Sequence, residues 1–225
     1  MDTSFLSTFA ATLFALMNPF GALPIFIGYV AGERPGVQRF VALLISLTVL
    51  GLLILFLATG TALLRFFGIG LDSFRIAGGI LLLLIGISLV TGNQSQAKTL
   101  ADNAAQSDWQ QAKSVYRSIV IPLAIPLIVG PGAIANVILY ASEVEVGSHK
   151  GLYGGLALVC VGVSFLVFAI LASARWWKRV LGNLGLSIAT RILGLLVASM
   201  GVQFITTGLT NVIVEHIAPA FVKQS

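Results

Sequence analysis

Length, composition and charge place this chain in one broad class. It has 225 residues, of which 57% are hydrophobic and only 9% charged, and its mean hydropathy is +1.00. Soluble domains carry about 25% charged residues, so the composition excludes a soluble domain and indicates an integral membrane protein.

Long windows without a charged residue follow one another along the chain. They cover residues 3–32, 40–64, 76–97, 118–142, 151–174 and 192–214. Each window exceeds the roughly 20 residues that a helix needs to cross about 30 Å of hydrocarbon. The windows also lack the alternating pattern of about ten residues that marks a membrane β-strand. The sequence therefore predicts an all-α integral membrane protein with six transmembrane helices.

The first predicted helix carries helix breakers in its middle, in the stretch ALMNPFGALPIF at residues 15–26. Pro19 removes a backbone hydrogen bond and its ring clashes with the preceding turn, so a break near mid-membrane is predicted there. Asparagine is a favoured N-cap and proline a favoured first helical residue. We therefore expect Asn18 to cap a half-helix that begins at Pro19.

The third and sixth predicted helices indicate an internal repeat. RIAGGILLLLIGISLVTG at 75–92 and RILGLLVASMGVQFITTG at 191–208 match at five positions with a constant offset of 116. The predicted organisation is a first three-helix repeat at 1–92, a hydrophilic cytoplasmic linker at 93–117 and a second three-helix repeat at 118–225. Because three helices are an odd number, the second repeat would enter the membrane inverted.

The fourth predicted helix repeats the pattern of breakers seen in the first. It contains Pro122, Pro126 and Pro131, and the first and fourth windows hold five of the seven prolines in the chain. Gly130 is expected to precede a second half-helix that starts at Pro131. Interrupted segments at matching places in two inverted halves indicate the binding site of a transporter. Such breaks persist in a membrane where they face protein or a wet cavity.

The charge-free windows restrict what could bind at the breaks. Because no Asp, Glu, Lys, Arg or His is available in the windows, a ligand would meet backbone dipoles and neutral polar groups, an arrangement that suits a small zwitterion. The predicted substrate-binding residues are Asn18, Pro19, Gly21, Pro24, Pro126, Gly130, Pro131, Gly132, Asn136 and Gln203. No metal site or cofactor is expected, and the coupling ion, Na⁺ or H⁺, is left open.

Basic residues predict the orientation in the membrane. Of the 13 lysines and arginines, nine follow the first, third and fifth helices and four lie on the other side. The positive-inside rule makes the nine-residue side cytoplasmic and leaves both termini outside. The net charge of +5 is explained in this way, so no nucleic-acid partner is expected. Cys160 is the sole cysteine, so no disulfide forms within the chain.

Two other interpretations of the breaks stay open at this point, and a third is not expected. A proline in a membrane helix can be a structural kink without function. A channel for a small neutral solute could also use helix starts at mid-membrane, although both breaks lie in windows of full spanning length. An intramembrane enzyme is not expected, because the windows hold no paired carboxylates, histidine cluster or serine beside a base.

The breaker motifs NPFGALPIF and PLAIPLIVGPGAI, with IGLDSFRIAGGI and TRILGLLVASMGVQFI, resemble the MarC family of membrane proteins, also termed UPF0056. The likeness covers nearly the whole chain. The resemblance implies a six-helix protein of the bacterial inner membrane with both termini outside. It also implies a small neutral amino acid transporter of the SnatA type, grouped with LysE-like exporters, that moves glycine, alanine or serine.

Overall fold

The computed structural model describes residues 2–91, 107–146 and 152–214 of the chain. Within these ranges every regular element is helical, which confirms the predicted all-helical class. The helices are α1 (Asp2–Met17), α2 (Pro19–Val30), α3 (Pro35–Phe67), α4 (Leu71–Thr91), α5 (Asp108–Pro122), α6 (Pro131–Val146), α7 (Tyr153–Ala172) and α8 (Ala174–Val212). A π-helical segment, Leu123–Ile128, joins α5 to α6.

Five stretches of the described residues are long and apolar enough to cross a membrane. They are Thr3–Val30, Pro35–Gly60, Asp72–Thr91, Tyr153–Ala172 and Leu184–Val212. The fourth window predicted from the sequence is absent from this set because its residues are divided among the end of α5, the π-helical segment and α6. The structure thus shows five candidate membrane spans in its described part, where the sequence predicts six.

Prolines explain why the fourth window is not one continuous helix. Ile121 and Ile125 have extended backbones, with φ/ψ of −111°/109° and −129°/125°. Each precedes a proline, whose ring disfavours the helical conformation in the residue before it. The chain then makes a wider turn, in which the Val129 amide donates to the Ala124 carbonyl at 2.9 Å.

Helices α4 and α8 pack against each other through glycines. A Cβ at Gly79 of α4 would lie 2.7 Å from the Gly201 carbonyl, and one at Gly201 would lie 2.6 Å from the Gly79 carbonyl. Gly86 of α4 approaches Gly194 of α8 in the same way, so the two helices run antiparallel. Small residues allow backbones in a membrane to approach closely enough for van der Waals packing. These glycines therefore make α4 and α8 a tightly joined pair.

The interior of the molecule is formed around α2 and α6. In α2, residues 21–27 are all buried, and in α6 residues 131–135 are buried as well. Outward-facing apolar side chains on the surrounding helices include Leu47, Leu84, Leu158, Phe165 and Leu195. Lipid tails are as apolar as leucine, so such surfaces need no protein cover. Helices α2 and α6 are therefore surrounded by the longer helices.

Part of the predicted linker is a docked helix. Ser107 caps α5 in a reciprocal capping box with Gln110. Gln111 is 7% exposed, accepts from Arg34 at 2.9 Å and donates to Glu33 at 2.7 Å. These bonds fix the start of α5 against the turn between α2 and α3. Residues 92–106, most of the predicted linker, lie outside the described residues.

Candidate functional site

The start of α2 is organised by Asn18. Its backbone is left-handed, with φ 41° and ψ 59°, and it is the sole non-glycine among the described residues with positive φ. Asparagine tolerates this conformation better than most residues. Its Oδ1 accepts from the Gly21 amide at 3.2 Å and thereby caps α2. A Cβ at Gly21 would lie 2.7 Å from Nδ2 of Asn18, so a larger residue there would displace the capping side chain.

The start of α6 is formed by Gly130 and Pro131. The Ile134 amide donates to the Gly130 carbonyl at 3.0 Å, and Pro131 is the first helical residue. A side chain at Gly130 would crowd the Pro126 carbonyl, which would lie 2.7 Å from its Cβ. Pro131 packs directly on Gly78 of α4. Both helices thus begin with a proline, but only the start of α2 is shown with a side-chain cap, and the Gly130 carbonyl accepts the first ordinary helical hydrogen bond of α6.

Both helix starts contact the same face of α8. Nδ2 of Asn18 donates a weak hydrogen bond to Sδ of Met200 at 3.9 Å. Gly132 lies under the ring of Phe204, which a Cβ at Gly132 would overlap. Met200 and Phe204 are four residues apart on a helix, and side chains at that spacing are neighbours on one face. The N-termini of α2 and α6 therefore both contact one turn of α8.

The backbone at this meeting point offers hydrogen-bond donors. The first amides of a helix have no carbonyl partner inside it, and Asn18 already occupies the amide of Gly21. The amides of Phe20, Gly132 and Ala133 are left without an acceptor in their own helices. Each helix N-terminus also carries about half a positive elementary charge. Two such ends near each other would attract an anionic group without any basic side chain.

The other predicted site residues are distributed around this point. Pro24 is buried within α2, and Pro126 is partly buried in the π-helical segment. Asn136 donates to the Thr12 hydroxyl at 3.3 Å and so connects α6 to α1. Gln203 is exposed and donates to the Thr207 hydroxyl at 3.3 Å. The structure brings together the residues at the starts of α2 and α6, and Gln203 points away from them.

Sequence reasoning missed three residues that shape the site. Met200 and Phe204 cover the helix starts, and Gly78 makes room for Pro131. Helix breakers and polar residues are the features that indicate a site in the sequence, and the apolar residues of α8 are neither. Met200 and Phe204 are apolar, so in the sequence they look the same as lipid-facing residues.

The contacts that the structure gives at the two helix starts involve no ionisable side chain. In the described ranges, no group of three or more His, Cys, Asp or Glu residues is placed to hold a metal ion. The local electrostatics are therefore those of helix ends and carbonyl groups. The polar groups at this point are therefore backbone amides and carbonyls, and neutral side chains surround them.

Comparison with known proteins gives one consistent result. Residues 3–213 match the family model described as MarC family integral membrane protein. A UPF0056 membrane protein of Pyrococcus abyssi is 38% identical over 91% of this chain and 95% of its own length. The UPF0056 membrane protein YhcE of Escherichia coli is 35% identical over 89% of each chain. No solved structure gives a significant match.

Proposed function

Because this chain belongs to the MarC family of integral membrane proteins, we propose that it transports small neutral amino acids, such as glycine, alanine or serine, by alternating access. One observation carries the proposal: the starts of α2 and α6 meet the same turn of α8. A pair of interrupted helices whose N-termini face one point is the arrangement that transporters use for the carboxylate of a substrate.

The proposed site recognises both charges of a zwitterion. The amides of Phe20, Gly132 and Ala133 bind the carboxylate, since they have no acceptor in their own helices. The ammonium group donates to carbonyls of the segments that end before Asn18 and Gly130. Glycines at the site are already in close contact with neighbouring atoms, so a small substrate fits the proposal better than a bulky one.

The proposed architecture is a six-helix inverted repeat. In this arrangement α1 and α2 form one interrupted span, and the end of α5, the π-helical segment and α6 form another. The pairs Asn18-Pro19 and Gly130-Pro131 support this, because each is the last residue before a helix and its first residue. The antiparallel packing of α4 on α8 is the packing expected of equivalent helices in inverted halves.

The way in which α8 covers the helix starts supports the proposal of alternating access. Met200 and Phe204 fill the space in front of Asn18 and Gly132, so this conformation is closed. In the proposed motion, α4 and α8 move together relative to the starts of α2 and α6, because glycines join them although they belong to different repeats. A displacement of this pair uncovers the amides and admits substrate from one side of the membrane.

The proposed location is a bacterial inner membrane, with both termini on the outer side. The distribution of lysine and arginine supports this orientation, since nine of 13 lie on the side assigned to the cytoplasm. A single cysteine added at each terminus, in a variant lacking Cys160, would test it by labelling with a membrane-impermeant reagent.

The function is tested first by ligand-dependent stability. Purified protein is heated in the presence of each of the twenty amino acids, with and without Na⁺ and at two pH values. A ligand that binds the folded state raises the apparent stability by RT ln(1 + [L]/Kd), so weak binders are detected at high concentration. We expect stabilisation by small neutral amino acids alone, and its dependence on Na⁺ or pH identifies the coupling ion.

A matched pair of variants connects that response to the site. Gly132→Ala places a methyl group against Phe204 at the start of α6, whereas a methyl at Gly162 of α7 meets no atom within 4 Å. The first variant should lose stabilisation by amino acids and uptake in proteoliposomes, and Gly162→Ala should retain both. An equal response of the two variants would refute the site, and a flux that does not saturate would favour a channel.

A further inference from the structure

A basic pocket lies at the junction of α3, α7 and α8, away from the proposed transport site. It has a volume of about 320 Å³ and is lined by Pro35, Gln38, Arg39, Ala172, Ser173, Arg175, Trp176 and Arg179. No carboxylate is among these lining residues. The pocket is partly open, and it presents exposed guanidinium groups from two helices to one space.

The arginines of this pocket are not used elsewhere in the described part of the chain. The ion pairs found there join Arg34 to Asp108 and Arg75 to Asp72, and none involves Arg39, Arg175 or Arg179.

Two pocket arginines also repel each other within α8. Arg175 and Arg179 are four residues apart, a spacing at which like charges on a helix destabilise it. An anion bound between the guanidinium groups would remove this repulsion.

The frame of the pocket is fixed by other polar contacts. Nε2 of Gln38 donates to the carbonyls of Val30 and Glu33, at 2.8 and 2.9 Å. Nζ of Lys178 donates to the Ala31 carbonyl at 2.8 Å, which holds the start of α8 against the end of α2. The cavity is therefore bounded by rigid elements, while the guanidinium groups remain available to a ligand.

The depth of the pocket identifies the kind of anion. Ala172 is the last residue of one candidate membrane span, and Pro35 is the first residue of another. The pocket thus lies at the level where hydrocarbon gives way to headgroups. Trp176 is 57% exposed at the same level, as tryptophans of the interfacial aromatic belt are. The phosphate groups of lipids are the anions present at this depth.

We propose that this pocket binds the phosphate group of an anionic phospholipid, whose headgroup has no cation, unlike that of phosphatidylcholine, to oppose the arginines. Guanidinium groups suit this ligand, because each donates two parallel hydrogen bonds to phosphate oxygens. Basic pockets between membrane helices bind such headgroups in general. The bound lipid would join α3 to the turn between α7 and α8.

The test measures the stability of delipidated full-length protein in detergent as lipid is added. Phosphatidylglycerol is compared with phosphatidylcholine of the same acyl chains, and inorganic phosphate and glycerol phosphate form separate arms. We expect phosphatidylglycerol to raise the melting temperature and the other three additions to leave it unchanged. Native mass spectrometry of the wild-type protein should show retained phosphatidylglycerol.

Two triple variants with equal loss of charge separate the pocket from general attraction. Arg39→Gln/Arg175→Gln/Arg179→Gln removes the pocket cations, and the control Lys113→Gln/Arg117→Gln/Arg191→Gln removes three exposed cations elsewhere. The pocket variant should bind phosphatidylglycerol about tenfold more weakly or worse, and the control should bind as wild type does.

Several outcomes would overturn the proposal. These are equal losses in the two triple variants, equal stabilisation by phosphatidylcholine, or stabilisation by inorganic phosphate as large as that by phosphatidylglycerol. If the pocket triple variant does not fold, the same comparison is made with Arg179→Lys, which keeps the charge and removes the two-pronged donor. Unchanged lipid affinity of Arg179→Lys together with no retained lipid on the wild-type protein would also contradict it.

Discussion

Replacing Asn18 separates the two ways in which this residue stabilises the start of α2. Asn18 holds a left-handed backbone, at φ 41° and ψ 59°, and its side chain caps the Gly21 amide. Alanine loses both properties, whereas glycine loses the cap and keeps free access to the left-handed conformation. The ranking of the two variants therefore reports on the backbone.

The magnitudes follow from these two contributions. A left-handed conformation costs an ordinary residue about 1–2 kcal/mol, and loss of an N-cap side chain to alanine costs about 1 kcal/mol. Asn18→Ala should thus lower the free energy of unfolding by about 2–3 kcal/mol. Asn18→Gly should lower it by less than about 1 kcal/mol, because glycine is itself an acceptable N-cap.

Thermal unfolding of the purified protein in one detergent measures both effects. For a chain of this length 1 kcal/mol corresponds to about 2–4 °C, so Asn18→Ala should melt roughly 4–12 °C below wild type. Asn18→Gly should melt within about 4 °C of wild type. The reasoning is wrong if the alanine variant is as stable as wild type, or if the glycine variant is the less stable of the two.

Three further predictions concern packing and buried hydrogen bonds. Gly201→Ala should destabilise the protein by about 1–3 kcal/mol, because its methyl meets backbone atoms of α4, whereas Gly162→Ala should be neutral or stabilising because its methyl meets no atom. Ser164→Ala should cost no stability, since the buried hydroxyl of Ser164 has no partner among the described residues. Thr48→Val should instead cost about 1–2 kcal/mol, because the Thr48 hydroxyl forms a hydrogen bond with the Tyr116 hydroxyl at 2.6 Å. Gln111→Leu should cost about 1–3 kcal/mol through the loss of its two side-chain hydrogen bonds. Melting curves measured as for Asn18 check all three, and a reversed order within either matched pair would contradict the corresponding contact.

Local rules explain which features the sequence predicted well. The membrane class follows from composition, and helix starts were expected at Pro19 and Pro131, where α2 and α6 begin. These depend on residues adjacent in the chain, namely a proline and the capping residue before it. The left-handed backbone of Asn18 was not predicted, because N-caps are usually extended and the local sequence does not specify the exception.

Features that depend on distant residues could not be read from the sequence. The contact between Asn18 and Met200 joins positions 182 residues apart, and no pattern near either one indicates it. The π-helical segment arises from two closely spaced prolines whose combined effect no helix periodicity describes. The arginine pocket likewise combines residues of α3 and α8, which the charge count assigned to one side without bringing them together.

Gly182 divides α8 into two parts that contact different helices. Its backbone is non-helical, with φ 62° and ψ −176°, and it divides a 39-residue helix into two lengths. The first length is tied to α2 through Lys178, and the second is packed on α4. If the α4 and α8 pair shifts as proposed, Gly182 is the hinge between the first part of α8, which stays with α2, and the second part, which moves with α4. A β-carbon at Gly182 would meet open space. A substitution there would therefore disturb the backbone torsion angles of the hinge and not its contacts with other residues.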